Sequence, residues 1–255
     1  MDFQQKVVIL TGASSGIGYS IAKLLPKENC SLAIIARKKV ILDNLINEMK
    51  FEKVKAYRCD VGVHEEVRNT FDKIKKDFGK IDIAILNAGV SERTDISKYS
   101  SITAKKIFDV NTLGLINCIE QLLPDFMQKK EGMIVGISSL SDSRGFPRNG
   151  FYSASKSAAS LLLESLRIEL KPYNIKVITV KPGFIKTPMT DKNEFHMPFL
   201  MDVDKSARII LRGIRKEKKI IQFPFPIVAG AKLLKLMPDF LFDYLMSKKL
   251  PSKKS

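Results

Sequence analysis

A tyrosine and a lysine four residues apart, Tyr152 and Lys156, are the side chains of this sequence best suited to moving a proton. Residues at positions i and i+4 share one face of a helix, so the phenol and the ammonium can converge. The pKa of a free phenol is about 10, and a neighbouring cation that favours phenolate lowers it. The pair therefore predicts a general acid/base that exchanges a proton with a carbonyl or hydroxyl oxygen.

The spacing alone carries little information, because two further Tyr-x-x-x-Lys pairs begin at Tyr19 and Tyr244. We interpret those two as ordinary pairs on helix surfaces. The middle pair differs because an apolar strand pattern ending in Ser139 lies 13 residues before Tyr152. A hydroxyl at that place can bind a substrate oxygen as charge develops on it. Ser139 is therefore a second candidate for the chemistry.

Near the N-terminus the pattern of a strand runs into a glycine-rich turn and the start of a helix. Gly12 suits the tight turn, Gly16 lets the backbone approach a phosphate, and Gly18 lets the helix pack close to the strand. The N–H groups and positive dipole end of that helix then suit a pyrophosphate. A flexible Gly/Ser loop is the alternative. The predicted dinucleotide site at this turn consists of Gly12, Ser14, Ser15, Gly16, Ile17 and Gly18.

The end of the second predicted strand bears on the choice of dinucleotide. In dinucleotide-binding folds an acidic residue about 20 residues beyond the glycines holds the ribose 2′-hydroxyl. This chain has Arg37 there, 19 residues after Gly18 and followed by Lys38 and Lys39. A cation suits a 2′-phosphate, so the sequence predicts NADP(H) in preference to NAD(H). The alternative is a solvated charge cluster at a helix start.

Two further strand ends add candidate contacts. Asp60, after the third strand, either accepts from an adenine amino group or caps the helix that begins near Val63, and the two readings are compatible. Asn87, Ala88 and Gly89 end the fourth strand. Such small residues leave room for a ribose, although Asn and Gly are also plain turn residues.

The elements that position these residues alternate along the chain. Short runs rich in Val and Ile alternate with amphipathic stretches, which is typical of βαβ units with a parallel sheet and helices on both faces. The predicted strands are 7–10, 32–36, 54–57, 81–86, 133–137, 177–180 and 220–223. The predicted helices are 18–25, 40–49, 63–78, 104–127, 153–170 and 203–216. We expect one α/β domain over residues 1–225.

These motifs together resemble the short-chain dehydrogenase/reductase family, in its short single-domain branch. The resemblance covers roughly residues 5–225 and rests on motifs in the family's order: Thr11 to Gly18, Asn87-Ala88-Gly89, Asn111, Ser139, Tyr152 with Lys156, and Pro182-Gly183. It implies a Rossmann-like, doubly wound parallel sheet. It also implies hydride transfer between a nicotinamide and a carbonyl or alcohol.

The resemblance assigns roles residue by residue. Tyr152 is the implied acid/base, Lys156 holds the nicotinamide ribose and lowers the tyrosine pKa, and Ser139 donates to the substrate oxygen. Asn111 orders a water in a proton relay to Lys156, although its residue type alone reads as an unremarkable helix asparagine. The further implied cofactor contacts are Val61, Val110, Pro182, Gly183, Ile185 and Thr187.

Composition bounds the remaining hypotheses. The 255 residues carry a net charge of +16, and the segment 205–255, with 13 Lys+Arg against 3 Asp+Glu, supplies +10 of it. Such basicity invites a nucleic-acid or membrane hypothesis, but no base-reading module is recognisable, so we expect no nucleic-acid partner. Three scattered cysteines, a polar start and no long apolar run predict a cytoplasmic protein without a disulfide framework. His64 and His196 lack ligand-spaced partners, so we expect no metal.

Two segments bear on the substrate and on partners. The mixed apolar stretch 187–202 predicts a lid over a hydrophobic small molecule such as a lipid, steroid-like or ketoacyl compound, with a core-packed helix as the alternative. The extension 226–255 predicts helices at 229–237 and 239–247, then Lys248, Lys249, Lys253 and Lys254. Its apolar and basic character suits peripheral membrane contact. The alternative is a cap on the active site or on a dimer partner.

The resemblance also implies a homodimer or homotetramer formed through the predicted helices 104–127 and 152–170. A cofactor-binding regulatory protein without turnover is the rival function, and the complete set of Asn111, Ser139, Tyr152 and Lys156 argues against it.

Overall fold

The computed structural model describes residues 2–193 and 195–248. Seven strands form one sheet: β1 (Val7–Thr11), β2 (Ser31–Ala36), β3 (Val54–Arg58), β4 (Ile83–Leu86), β5 (Gly132–Ile137), β6 (Ile175–Pro182) and β7 (Ile220–Phe223). Their order is β3-β2-β1-β4-β5-β6-β7, and every neighbouring pair is parallel. The predicted doubly wound α/β fold is therefore confirmed.

Helices cover both faces of this sheet. They are α1 (Gly16–Leu24), α2 (Lys39–Met49), α3 (His64–Phe78), α4 (Ser101–Phe108), α5 (Gly114–Lys129), α6 (Gly150–Glu169), α7 (Val203–Arg215), α8 (Phe225–Leu236) and α9 (Asp239–Ser247). Along β1, Val8 and Leu10 join the apolar cluster under α1, α2 and α7, whereas Ile9 joins the cluster under α3, α5 and α6. Successive strand residues point to opposite faces, so a doubly covered strand is apolar throughout.

Two predicted helices have different bounds in the structure. The predicted helix 104–127 is two helices, α4 and α5, joined by a π-helical turn over Asp109–Leu113. Such a turn adds a residue to the helical spiral, and here it carries Asn111. The predicted helix 229–237 begins earlier, at Phe225, because Pro226 stands in the first turn, where its missing N–H costs nothing.

The C-terminal helices pack beside the turn that follows β5. Arg144 of that segment donates from Nη1 to the carbonyl of Met237 (3.3 Å) and from Nη2 to Asp239 (3.0 Å). Its guanidinium also lies 4.1 Å from the centre of the Phe242 ring. Lys249, Lys253 and Lys254 lie outside the described residues, so the basic tail has no structural account.

The segment predicted as a lid is made of turns. Over the described residues of 187–202 no helix is present, so the alternative of a core-packed helix is wrong. Ile185, two residues before this segment, forms a parallel bridge with Met201 near its end, so the segment starts and finishes close together. Within residues 2–193 and 195–248 no helix has both the length and the apolarity needed to cross a bilayer.

Candidate active site

A cleft of about 630 Å³ opens at the carboxyl ends of the strands. The strand order reverses between β1 and β4, and ligands of open α/β sheets bind at such a reversal. The predicted residues that line this cleft are Gly12, Ser14, Ser15, Gly16, Ile17, Arg37, Asp60, Val61, Asn87, Ala88, Gly89, Val110, Ser139, Tyr152, Lys156, Pro182, Gly183, Ile185 and Thr187. Gly18 and Asn111 are the predicted site residues that do not line it.

The glycine turn has the backbone that only glycine adopts readily. Gly12 and Gly16 have φ of +68° and +54°. A Cβ on Gly12 would also stand 2.8 Å from the Cα of Ala88. Gly18, predicted as a cofactor contact, instead packs against the carbonyl oxygen of Gly12, where a Cβ would overlap it. That prediction is corrected: Gly18 sets the helix close to the strand and does not face the cleft.

Side chains from β1 and β4 hold the turn in place. The Thr11 hydroxyl oxygen accepts from the backbone N–H groups of Asn87 and Ala88, each at 3.0 Å. The Asn87 amide donates to the carbonyls of Thr11 and Gly12, each at 3.1 Å. Asn87 is therefore more than a turn residue, since it fastens β4 to the glycine turn. Thr11 was named from the sequence only as part of the family motif and without a role, although a polar residue that ends a buried strand is a recognisable signal.

The end of β2 brings cations to the same cleft. Arg37 and Lys38 line it, and the Arg37 side chain is 56% exposed, with Nη1 3.8 Å from a carboxylate oxygen of Asp60. Asp60 accepts from the N–H of Gly62 at 3.0 Å and so closes the turn before α3. The residue immediately before α3 is Val63, and no side chain caps the N-terminus of this helix. The alternative in which Asp60 caps the helix is therefore wrong.

The predicted proton-transfer residues meet on one side of the cleft. Tyr152 and Lys156 share a face of α6, with the ammonium 5.9 Å from the centre of the phenol ring. The Lys156 ammonium donates to the carbonyl of Ile137 at 2.8 Å. Lys156 is only 4% exposed, and this burial lowers its pKa to about 8, against the opposing charge of Asp142.

The pKa of Tyr152 departs from the expectation. Burial raises it above the usual value of 10.0, a hydrogen bond with Ser139 lowers it, and the charge of Asp142 raises it. Burial disfavours a charged phenolate and is the largest of these effects. The predicted lowering by Lys156 is therefore wrong for the protein chain itself, and the phenol keeps its proton at neutral pH.

Asn111 lies behind the cleft and is 3% exposed. Its side-chain oxygen accepts from the Val90 N–H at 2.8 Å, and its amide donates to the Val90 carbonyl at 2.9 Å and to Ser155 at 3.0 Å. The Ser155 hydroxyl donates to the carbonyl of Tyr152 at 2.8 Å. A Cβ on Gly89 would stand 3.3 Å from the Lys156 ammonium and 3.4 Å from the Asn111 side-chain oxygen. Gly89 thus preserves the space between those two groups.

The described part of the chain contains no cluster of three or more His, Cys, Asp or Glu suited to a metal ion. His64 is an exposed residue, with Nε2 3.1 Å from the Glu120 carboxylate.

Known proteins share both the sequence pattern and the architecture. A family profile described as short chain dehydrogenase matches residues 6–197. An uncharacterized oxidoreductase of Myxococcus xanthus is 29% identical over 244 residues, which cover 95% of this chain and 96% of that protein. A short-chain dehydrogenase/reductase from Burkholderia phymatum, solved with NAD, superposes with a TM-score of 0.84 at 22% identity, covering 91% of this chain and 94% of the other. A short-chain dehydrogenase from Sphingobium yanoikuyae, solved with NADPH, has a TM-score of 0.80 at 26% identity and covers 98% of both chains.

The profile match spans most of the chain, and the cleft lies where the fold predicts a ligand. The chain therefore belongs to the short-chain dehydrogenase family of oxidoreductases.

Proposed function

We propose that this oxidoreductase uses NADP(H) to interconvert a carbonyl and a hydroxyl group of a hydrophobic small molecule. The observation that carries the proposal is the cleft itself, where the glycine turn of Gly12 and Gly16 and the set of Ser139, Tyr152 and Lys156 line one continuous space. When bound, a nicotinamide supplies or accepts the hydride, and the protein supplies orientation and the proton. The NADPH in the Sphingobium yanoikuyae relative supports this class of cofactor.

Several parts of the cleft fit a dinucleotide. The N-terminal turn of α1 presents free N–H groups, because Ser15 before it makes no side-chain cap. Gly16 keeps the backbone accessible, since a Cβ there would stand 3.1 Å from Thr187. We assign the pyrophosphate to this turn, the 2′-phosphate to Arg37 and the nicotinamide ribose to Lys156. Asp60 remains our candidate for the adenine amino group.

The proposed proton donor is Tyr152. Its raised pKa keeps the phenol protonated at neutral pH, which suits donation to the oxygen of a carbonyl under reduction. Ser139 lines the same cleft and lowers the pKa of the phenol, and we propose that its hydroxyl donates to that same oxygen. Lys156, with a pKa of about 8, can exchange protons near neutral pH, and we propose Asn111 as the residue that orders the relay behind it.

The proposed substrate contacts are apolar. Phe195 of segment 187–202 packs against Phe184 (5.8 Å between ring centres) and lies under the Arg93 guanidinium (5.3 Å). Met189 of the same segment lines the cleft and is 38% exposed. A segment pinned at both ends with apolar side chains between suits a lid over a hydrophobic substrate.

A carbonyl and alcohol screen with NADPH and NADP tests the proposed function. The panel contains keto-steroids, 3-ketoacyl compounds and long-chain ketones, and NADPH consumption is followed by absorbance. We expect turnover of at least one apolar carbonyl. Binding of NADPH without turnover of any compound would support the rival, a regulatory protein that binds the cofactor.

We also propose that the C-terminal helices contact an anionic membrane surface while their inner face caps the site. Phe242 and Met246 are buried, whereas the outer side exposes Leu233 (66%), Leu236 (83%) and Phe240 (76%). Exposed lysines at positions 232 and 235 on α8 stand among these apolar residues. Apolar side chains bordered by cations suit the interface of an anionic bilayer.

Vesicle co-sedimentation tests this contact in the full chain. Replacing Leu233, Leu236 and Phe240 with serine should abolish binding to anionic phosphatidylserine vesicles. The control variant replaces Ile96 and Ile102 in the same way. These side chains are 84% and 79% exposed, but they lie before and within α4 and not on the C-terminal helices. Equal sedimentation of both variants and the parent protein would refute the membrane contact.

We propose a homodimer or homotetramer formed through α5 and α6. Leu113, directly before α5, and Ile116 in its first turn are 48% and 37% exposed, and Leu161 and Ile168 on α6 are 65% and 68% exposed. Side chains of this kind gain by burial against a second copy. Light scattering should show a mass of two or four chains, and Leu161→Glu should reduce it to one.

A further inference from the structure

A partly buried ion pair, Asp142 with Lys181, lies near the proposed catalytic residues Ser139 and Tyr152. Asp142, three residues after Ser139, has a side chain that is 6% exposed. Its Oδ2 lies 2.6 Å from the ammonium of Lys181 and accepts from the hydroxyl of Ser160 at 2.5 Å. Burying two charges is costly, so such a pair persists only where its hydrogen bonds are well satisfied. No step of the proposed function uses it.

The pair connects the three segments that carry the proposed site. The N–H of Asp142 donates to the carbonyl of Ser139 at 3.2 Å, which places the carboxylate on the Ser139 turn. Ser160 of α6 also lies 2.7 Å from the hydroxyl of Ser138, and Ser138 donates to the carbonyl of Lys156 at 3.0 Å. Lys181 is the last residue but one of β6 and immediately precedes the cleft-lining residues 182 and 183.

We propose that the Asp142–Lys181 ion pair is a positioning device for the active site. It holds the Ser139 turn against α6 and β6, and its balance of charge sets the electrostatic potential at Tyr152 and Lys156. The proposal rests on the proposed function, in which Tyr152 and Ser139 act on the substrate oxygen. Neither Asp142 nor Lys181 is proposed to contact the substrate.

The charged and titratable groups near Asp142 are Lys181 on β6, Tyr152 and Lys156 on α6, and Arg144 directly after its own turn. Helix α8 packs against the same turn, and its lysines Lys232 and Lys235 are exposed. Arg144 is engaged by Asp239 at 3.0 Å. Lys181 is therefore the cation in direct contact with the carboxylate.

The sign of the expected effect follows from the charges. The carboxylate of Asp142 raises the pKa of both Tyr152 and Lys156. Asp142→Asn removes that charge and leaves Lys181 uncompensated, so both pKa values should fall. Lys181→Met leaves the carboxylate uncompensated, so both should rise. The double variant is neutral at both positions and should return close to the parent value.

Two measurements test the proposal. The first is the pH dependence of kcat for carbonyl reduction. The apparent pKa of its alkaline limb should fall by about half a unit to one unit in Asp142→Asn and return to the parent value in the double variant. We expect kcat to fall about tenfold in Asp142→Asn through misplacement of the Ser139 turn, with the KM for NADPH within about twofold.

The second measurement needs neither substrate nor cofactor. NMR titration of Cζ-labelled tyrosine, with the Tyr152 signal identified by its loss in Tyr152→Phe, should show the same order of pKa values. If Lys181→Met does not fold, Asp142→Asn against the double variant decides, because a neutral pair is tolerated better than an unpaired buried charge. Asp125→Asn, which breaks the Lys75–Asp125 pair (2.8 Å), is the matched control without a shift.

The proposal is overturned if Asp142→Asn and the double variant titrate alike, or if neither differs from the parent protein. It is also overturned if kcat is unchanged. Failure of the proposed function would look different, since the NMR titration reports on the ion pair even in a protein without turnover.

Discussion

Replacing Arg37 by alanine should remove most of the preference for NADPH over NADH. Arg37 directly follows β2, and its side chain lines the cleft and is 56% exposed, with a carboxylate oxygen of Asp60 3.8 Å from Nη1. An exposed pair at that distance is worth less than about 1 kcal/mol, so Arg37 can turn to a 2′-phosphate at little cost. A hydrogen bond to a charged group contributes about 1.5–3 kcal/mol. Solvent screening of a half-exposed arginine favours the lower part of that range, about 1.5–2 kcal/mol.

That free energy corresponds to a factor of about ten to thirty in kcat/KM for NADPH. The assay measures kcat/KM for NADPH and NADH with one carbonyl substrate in the parent protein and in Arg37→Ala. We expect the NADPH value to fall by that factor while the NADH value changes less than about twofold. Arg58→Ala is the control, because Arg58 ends the neighbouring strand β3 at similar exposure (63%) but does not line the cleft. An unchanged ratio in Arg37→Ala, or a parent protein that prefers NADH, would refute the assignment.

Three further substitutions follow from the contacts of the site. Asn111→Ala leaves both backbone groups of residue 90 without their partner and should cost about 2–3 kcal/mol in urea unfolding; a loss under about 0.5 kcal/mol would contradict the three hydrogen bonds. Gly18→Ala should weaken NADPH binding and lower the melting temperature, because its Cβ overlaps the Gly12 carbonyl, whereas Gly230→Ala on α8 enters open space and should be neutral or stabilising. Lys156→Met should stabilise the cofactor-free protein by about 2 kcal/mol at pH 7, because it removes a buried charge. The pKa of Lys156 falls from its usual 10.5 to about 8 on folding, so the parent protein gains stability as pH rises from 8 to 10.5. The advantage of Lys156→Met should therefore fade over that window, and a constant difference would argue against the lowered pKa.

The fold was predictable because its signals are local and repeated. The central strands β1, β4 and β5 are buried along their whole length, since both faces are covered, and Gly12 and Gly16 of the first turn stand where the backbone needs a positive φ. The sequence predicts two roles for Gly18. It is expected to let the helix pack close to the strand, and its close packing against Gly12 agrees; its further assignment as a cofactor contact does not fit, because it does not line the cleft.

The electrostatics of the site were less predictable. The i, i+4 spacing brings Lys156 near Tyr152, but spacing does not show how deeply either group is buried, and burial decides the direction of the tyrosine pKa. The hydrogen bonds of Asn111 could not be predicted for a similar reason, because its partners at residues 90 and 155 are 21 and 44 residues away along the chain. The Asp142–Lys181 pair likewise joins residues that no local pattern connects.

The most direct test of the proposed reaction is Tyr152→Phe measured for binding and turnover together. Phenylalanine keeps the ring but removes the hydroxyl, so NADPH affinity, measured by cofactor fluorescence, should stay within about threefold of the parent value. Loss of the proton donor should reduce kcat for carbonyl reduction by about a thousandfold, within the range for general acid catalysis. Unimpaired NADPH binding with turnover lost would support Tyr152 as the acid/base. Turnover within tenfold of the parent protein would contradict it.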